Sequence, residues 1–104
     1  MRVRICSSSE IAVGSVVRFE PEAGVAVAVA RCEGGYHAVI DNCSHEDYPL
    51  SEGEVFADTC EIECVRHGST FSLLDGEPQS LPATRPVAVY EVEVDGDDLY
   101  VVLP

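Results

Sequence analysis

Apolar and polar residues alternate most regularly in segments 88–94 and 98–103, which flank Asp95-Gly96-Asp97. A period of two puts alternate side chains on one face, so this pair predicts a β-hairpin with one face in a core. Shorter apolar runs, many rich in valine, predict further strands over 1–6, 16–19, 25–31, 36–41 and 70–74. The residues between them are turn formers: Ser7-Ser8-Ser9 with a single helical turn before Gly14, the Pro21 to Gly24 stretch, Gly34-Gly35, and Asp75-Gly76, whose Asp-Gly step favours a positive φ. No segment keeps a helical period for more than a turn or two, and neither a repeat nor a linker interrupts the pattern. The expected fold is all-β, a small antiparallel sandwich or barrel, and residues 1–104 are expected to form a single domain.

Two loops break this β pattern. Segment 42–50 follows one strand and 66–69 follows another, and each begins close to a cysteine and carries a histidine: Cys43-x-His45 in the first, Cys64-x-x-His67 in the second. The intervening residues 46–63 are enough to leave one loop, form a strand and return. Strand ends on a packed frame hold such loops at a fixed separation, as a metal site requires. Thiolate and imidazole donors together suit zinc, iron-sulfur clusters and, with additional ligands, copper. Structural zinc sites usually pair cysteine with cysteine and histidine with histidine. One Cys and one His from each loop fits instead a binuclear cluster with both cysteines on one iron and both histidines on the other.

Composition narrows the compartment and the partners. The chain has five cysteines, an odd number, and its first residues form no long apolar run, so a disulfide framework is a poor expectation and metal or redox use a better one. Cys6 and Cys32 read as isolated buried or surface thiols, Cys60 as a strand-side thiol, and His37 as an ordinary strand residue. No apolar run approaches the roughly 18 residues of a membrane span, and cytoplasmic location is the expectation. A formal net charge of −13 with no lysine argues against nucleic acid, whose phosphates demand cations. It favours instead a basic protein partner reached by electrostatic steering.

Cys43-Ser44-His45 and Cys64-Val65-Arg66-His67-Gly68-Ser69, with Phe71 behind, resemble the Rieske-type [2Fe-2S] ferredoxins, small electron carriers that serve Rieske non-haem iron oxygenases. The resemblance extends to Pro49-Leu50-Ser51-Glu52-Gly53 and to Leu81-Pro82-Ala83, which is similar to the family's proline-containing loop beside the cluster. It implies one [2Fe-2S] cluster in a region spanning about 42–70, with Cys43 and Cys64 on the inner iron and His45 and His67 on the outer one. It also implies a non-enzymatic, monomeric carrier that takes electrons from an NAD(P)H-dependent flavoprotein reductase. The acceptor would be the terminal oxygenase of a ring-hydroxylating dioxygenase system for aromatic hydrocarbon catabolism. Glu46, Asp47, Glu52 and Glu54 would guide a basic partner surface.

Departures from the family's high-potential members carry chemistry. Those proteins join their two loops by an extra disulfide, and here Tyr48 and Arg66 stand in its place. They also place hydroxyls from Ser and Tyr beside the cluster sulfurs. This chain keeps Ser69 and has Phe71 instead of the Tyr, so the expected potential lies low in the Rieske range, on the order of −150 mV. Other readings of the same residues are a Rieske ferredoxin serving iron-sulfur cluster assembly, a redox sensor using Cys60, and a zinc-stapled binding module.

Overall fold

The computed structural model describes residues 1–44, 47–66 and 68–104. Among the described residues nine strands run in the order β1 (Arg2–Ser7), β2 (Val16–Glu22), β3 (Val25–Cys32), β4 (Gly35–Ile40), β5 (Val55–Phe56), β6 (Glu61–Glu63), β7 (Thr70–Ser72), β8 (Val89–Asp95) and β9 (Asp98–Val102). Six of them form an antiparallel sheet in the order β1-β9-β8-β4-β3-β2, whose outer strands β1 and β2 curl into contact, and β5-β6-β7 form a second, smaller sheet. The all-β expectation holds, and among the described residues the only helical elements are short 3-10 turns at Ser8–Glu10 and Leu50–Glu52.

Alternation builds the core from β3 outward. Val27 and Val29 point into one apolar cluster with Cys6, Ile11, Ala38, Leu99 and Val101, inside the curl of the large sheet. Ala28, Ala30 and Cys32 point the other way, into a second cluster shared with Ile62 and Phe71 of the small sheet. Because residues 27–30 are wholly buried, β3 is apolar on both faces there, and residues 25–30 are a continuous run of Val and Ala.

Strand limits differ from the sequence expectation in instructive ways. β2 runs on through Pro21, which lacks an N–H to donate; it is tolerated because β2 is an edge strand and its register with β3 shifts between Phe19 and Glu22. The reversal expected over Pro21 to Gly24 therefore shrinks to Ala23 and Gly24. The turn after β7 behaves as its Asp-Gly step suggests, since Gly76 has φ +79° and the returning chain pairs Phe71 with Pro78. The short strands β5 and β6 have too few residues for a readable alternation. Farther on, Leu81 and Pro82 are joined by a cis peptide bond.

Candidate metal centre

Cys43 and Cys64 each head a loop closed in the same way. The Cys43 N–H donates to the Tyr48 carbonyl at 2.9 Å, and the Cys64 N–H donates to the Ser69 carbonyl at 2.7 Å, so each cysteine is tied to the residue five positions on. In the second loop the Gly68 N–H also donates to the Cys64 carbonyl at 2.8 Å, with Gly68 at φ +76°, a conformation glycine adopts at no steric cost. Both cysteine side chains are buried in the cluster beneath the small sheet, and neither is in a disulfide.

The first loop is fastened at its base by Asp41. This buried carboxylate accepts hydrogen bonds from the Ser51 N–H (2.7 Å), the Ser51 hydroxyl (2.6 Å) and the Arg18 guanidinium (2.8 Å), clamping the two ends of the loop to each other and to β2. Gly53 then brings this loop's exit against the strand leading into the second loop: a Cβ there would sit 1.6 Å from the Glu63 carbonyl oxygen. Only glycine permits that approach, which fixes the separation of the two loops. At the outer end the Arg66 guanidinium lies over the Tyr48 ring, 5.8 Å from its centroid, a cation–π contact between the two residues that replace the high-potential proteins' disulfide.

Segment 81–85 joins both loops. The buried Ser69 hydroxyl accepts from the Ala83 N–H at 3.0 Å, the Ser44 hydroxyl donates to the Arg85 carbonyl at 2.5 Å, and the Arg85 guanidinium reaches the Ser44 carbonyl at 3.4 Å. Val65 and Leu81 expose apolar side chains beside the loops, and Glu52, Glu54, Glu63 and Val65 border a shallow depression of about 500 Å³. His45, Glu46 and His67 lie outside the described residues.

The expectation for the other cysteines is corrected. Cys32 and Cys60 are not isolated thiols but a disulfide, which ties the end of β3 to the turn before β6. The Glu33 N–H donates to the Ala57 carbonyl close by, a second tie between the two sheets. His37 is more than a strand residue as well, since its imidazole and the two sulfurs lie within 4.8 Å of one another. Burial pushes its pKa below the usual histidine value, and burial pushes the Cys6 thiol up, with Glu10 adding to the effect. One signal for this grouping was available in the sequence. In a β3–β4 hairpin turning at Glu33-Gly34, Cys32 pairs with Gly35, and His37, two positions on, falls on the same face.

The donor chemistry fits an iron-sulfur group. Cys43 and Cys64, two buried cysteines outside any disulfide, head two loops that are mutually braced, while Cys32 and Cys60 are joined in a disulfide and Cys6 lies in the other apolar cluster. The Rieske [2Fe-2S] domain model matches residues 1–91. The chain belongs to the Rieske [2Fe-2S] domain family. Its cofactor is accordingly the [2Fe-2S] cluster of this Rieske chain. It is 38% identical over 98 residues to the ferredoxin component of biphenyl 2,3-dioxygenase from Rhodococcus jostii (strain RHA1), covering 94% of this chain and 89% of that one. Among solved structures it is similar to the ferredoxin of carbazole 1,9a-dioxygenase from Nocardioides aromaticivorans IC177, with a TM-score of 0.91, 33% identity, and coverage of 96% and 95% of the two chains. A complex of reduced oxygenase and oxidized ferredoxin in carbazole 1,9a-dioxygenase contains a chain 35% identical to this one (TM-score 0.89), covering 96% of this chain and all of the other.

Proposed function

We propose that this Rieske chain is a one-electron carrier, the ferredoxin component of a ring-hydroxylating dioxygenase system and not itself an enzyme. It receives electrons from an NAD(P)H-dependent flavoprotein reductase and delivers them to a terminal oxygenase. The observation that carries the reading is the pair of buried thiols at the heads of two braced loops, in a chain whose relatives over nearly its whole length are dioxygenase ferredoxins. In this reading residues 1–104 act as one domain, with the cluster region at about 42–70. Cys43, His45, Cys64 and His67 would hold the cluster, the two cysteines on one iron and the two histidines on the other. The bound group supplies a reversible one-electron store, less negative than an all-thiolate cluster because two neutral imidazoles replace two thiolates.

The chain's own residues supply position and recognition. Asp41, Gly53 and the Ser69–Ala83 bond hold the loops, and the Arg66–Tyr48 contact joins one loop to the other. The exposed Val65, beside Glu52, Glu54 and Glu63, gives the second loop's surroundings an apolar spot with an acidic border, and Leu81 is exposed in the segment that joins the loops. Such a patch suits a partner with a basic rim, because charge complementarity raises the on-rate while apolar contact holds the encounter. Among the described residues no helix is long and apolar enough to cross a membrane, and we place the carrier in the cytoplasm.

The test is the visible absorption and low-temperature EPR spectrum before and after dithionite reduction, followed by electron delivery to a terminal oxygenase from a reductase-coupled assay. A coloured protein with a reduced rhombic signal, its average g below the all-thiolate type, is expected, and Cys43→Ser, His45→Ala, Cys64→Ser and His67→Ala should each abolish it. A colourless, EPR-silent protein containing zinc would overturn the carrier reading.

A further inference from the structure

A second group of metal-binding side chains, distinct from the ligands proposed for the cluster, lies at the junction of the two sheets, its cysteines in the same apolar cluster as Cys43 and Cys64. The Sγ atoms of Cys32 and Cys60 and a ring nitrogen of His37 fall within 4.8 Å of one another. Cys32 is on β3 and His37 on β4, on the same face of the hairpin, while Cys60 comes from the turn before β6. Three ligands from three separate segments therefore converge across the junction of the two sheets. Cys60 adopts φ +57°, the only non-glycine residue with positive φ among those described, and its carbonyl accepts from the Leu73 N–H at 2.9 Å. A side chain held in so rare a backbone conformation points to a positional requirement.

We propose that Cys32, His37 and Cys60 form a thiol-gated site for a soft divalent cation, with zinc the favoured ion, closed by the disulfide and opened by its reduction. A dithiol reductant breaks the S–S bond, becomes a cyclic disulfide itself and leaves two thiols. One zinc ion then binds both sulfurs and the imidazole and releases two protons. A disulfide oxidant reverses the sequence, taking up two electrons and two protons as it becomes two thiols, re-forming the Cys32–Cys60 bond and expelling the ion. Tetrahedral zinc with bonds of about 2.3 Å to sulfur and about 2.0–2.1 Å to nitrogen needs its donors roughly 3.3–3.8 Å apart. Reduction lets the two bonded sulfurs part to that separation, with the imidazole already within 4.8 Å of them. Burial keeps the His37 imidazole neutral, as a ligand must be. His37 and Leu73 also line an open depression of about 360 Å³, so the imidazole side of the grouping faces solvent-accessible space. In both states the junction stays bridged, by S–S or by S–Zn–S, so a reducing compartment need not loosen the cluster loops above it.

The experiment uses the cluster-loaded protein under anaerobic conditions, with and without prior treatment by a trialkylphosphine, which reduces the disulfide while taking up oxygen from water. After removal of the phosphine, zinc chloride is added, competed against a chromophoric chelator, and zinc, iron and inorganic sulfide are measured. The expected result is one zinc per chain only after reduction, with iron and sulfide unchanged, no zinc in Cys32→Ser or Cys60→Ser, and at least tenfold weaker binding in His37→Ala. Equal uptake before and after reduction, no uptake at all, zinc gained in step with iron lost, or undiminished uptake in His37→Ala would each overturn the proposal. The His37→Ala chain keeps the disulfide, so it remains informative if the cysteine variants fail to fold. Iron and sulfide content reports on the Rieske site separately, so failure there is distinguishable from failure here.

Discussion

Replacing Asp41 by Ala should release the base of the first cluster loop. The carboxylate is fully buried and accepts two short bonds from Ser51 and one from Arg18. Hydrogen bonds to a charged acceptor are worth about 1.5–3 kcal/mol each, so the Ser51 pair sets a gross contribution of about 3–6 kcal/mol. Arg18 is half exposed and regains water when the pair breaks, adding only about 0.5 kcal/mol. Ser51 is partly exposed and also rehydrates, and removal of the carboxylate relieves its own desolvation, which brings the net loss to about 3 kcal/mol. A protein with a bound cluster seldom unfolds as a clean two-state equilibrium, so the quantity to measure is a rate: the half-time of bleaching of the visible absorption in a fixed urea concentration. If the clamp is broken in the transition state for opening, about 3 kcal/mol shortens that half-time by roughly 100-fold. Asp41→Asn keeps one carbonyl acceptor without the charge and should shorten it about tenfold. A half-time for Asp41→Ala within threefold of the parent would show that Asp41 does not hold the loop.

Gly53→Ala forces a methyl group into the Glu63 carbonyl and should destabilise by about 3 kcal/mol, at the upper end for overpacking, which the same bleaching assay reads. Ser69→Ala leaves the buried Ala83 N–H without its acceptor, a loss of about 1–3 kcal/mol, and should also lower the potential from its expected value on the order of −150 mV. A potentiometric titration that finds no shift in Ser69→Ala would confine the hydroxyl's role to holding segment 81–85. His37 has a folded pKa below its unfolded value, so the unfolded chain takes up a proton first as pH falls. Its contribution is present above the unfolded pKa near 6.5 and is lost as pH falls toward the folded one, so urea resistance should decline below about pH 6.5 and less so in His37→Ala.

The sheet pattern was legible because most strands have one buried face, as the alternation in 88–94 and 98–103 shows. β3 was legible for the opposite reason, as a continuous apolar run buried on both faces. β5 and β6 were not, because two or three residues carry no period, and their place is set by pairing with β7. The loops were marked by their Cys and His residues, which stand out against valine-rich strands. What holds the loops was hidden: Asp41 reads as one more acid in a very acidic chain, and only the fold brings Ser51 and Arg18 to it. The Cys32–Cys60 bond was hidden because 28 residues and a change of sheet separate its partners, and an odd cysteine count argued the other way.

The two braces differ in kind, and the difference bears on how the site responds to its surroundings. Between the two loops the chain has Arg66 over the partly buried Tyr48 ring, a contact worth about 0.5–1 kcal/mol at exposed positions. The covalent bond sits instead at the base, between β3 and the turn leading to β6, beneath the cysteine-bearing ends of the loops. A brace there fixes where the second loop starts while leaving its outer surface free to adjust by small amounts to a partner. Under the proposed function, a carrier meeting a reductase and an oxygenase in turn gains from that arrangement, because each complex can shape the exposed surface at Val65 without moving the buried thiols of Cys43 and Cys64. It also places the chain's thiol-sensitive bond in the same apolar cluster as those two cysteines, so a change in the base brace is felt first at the inner side of the site rather than at the docking surface.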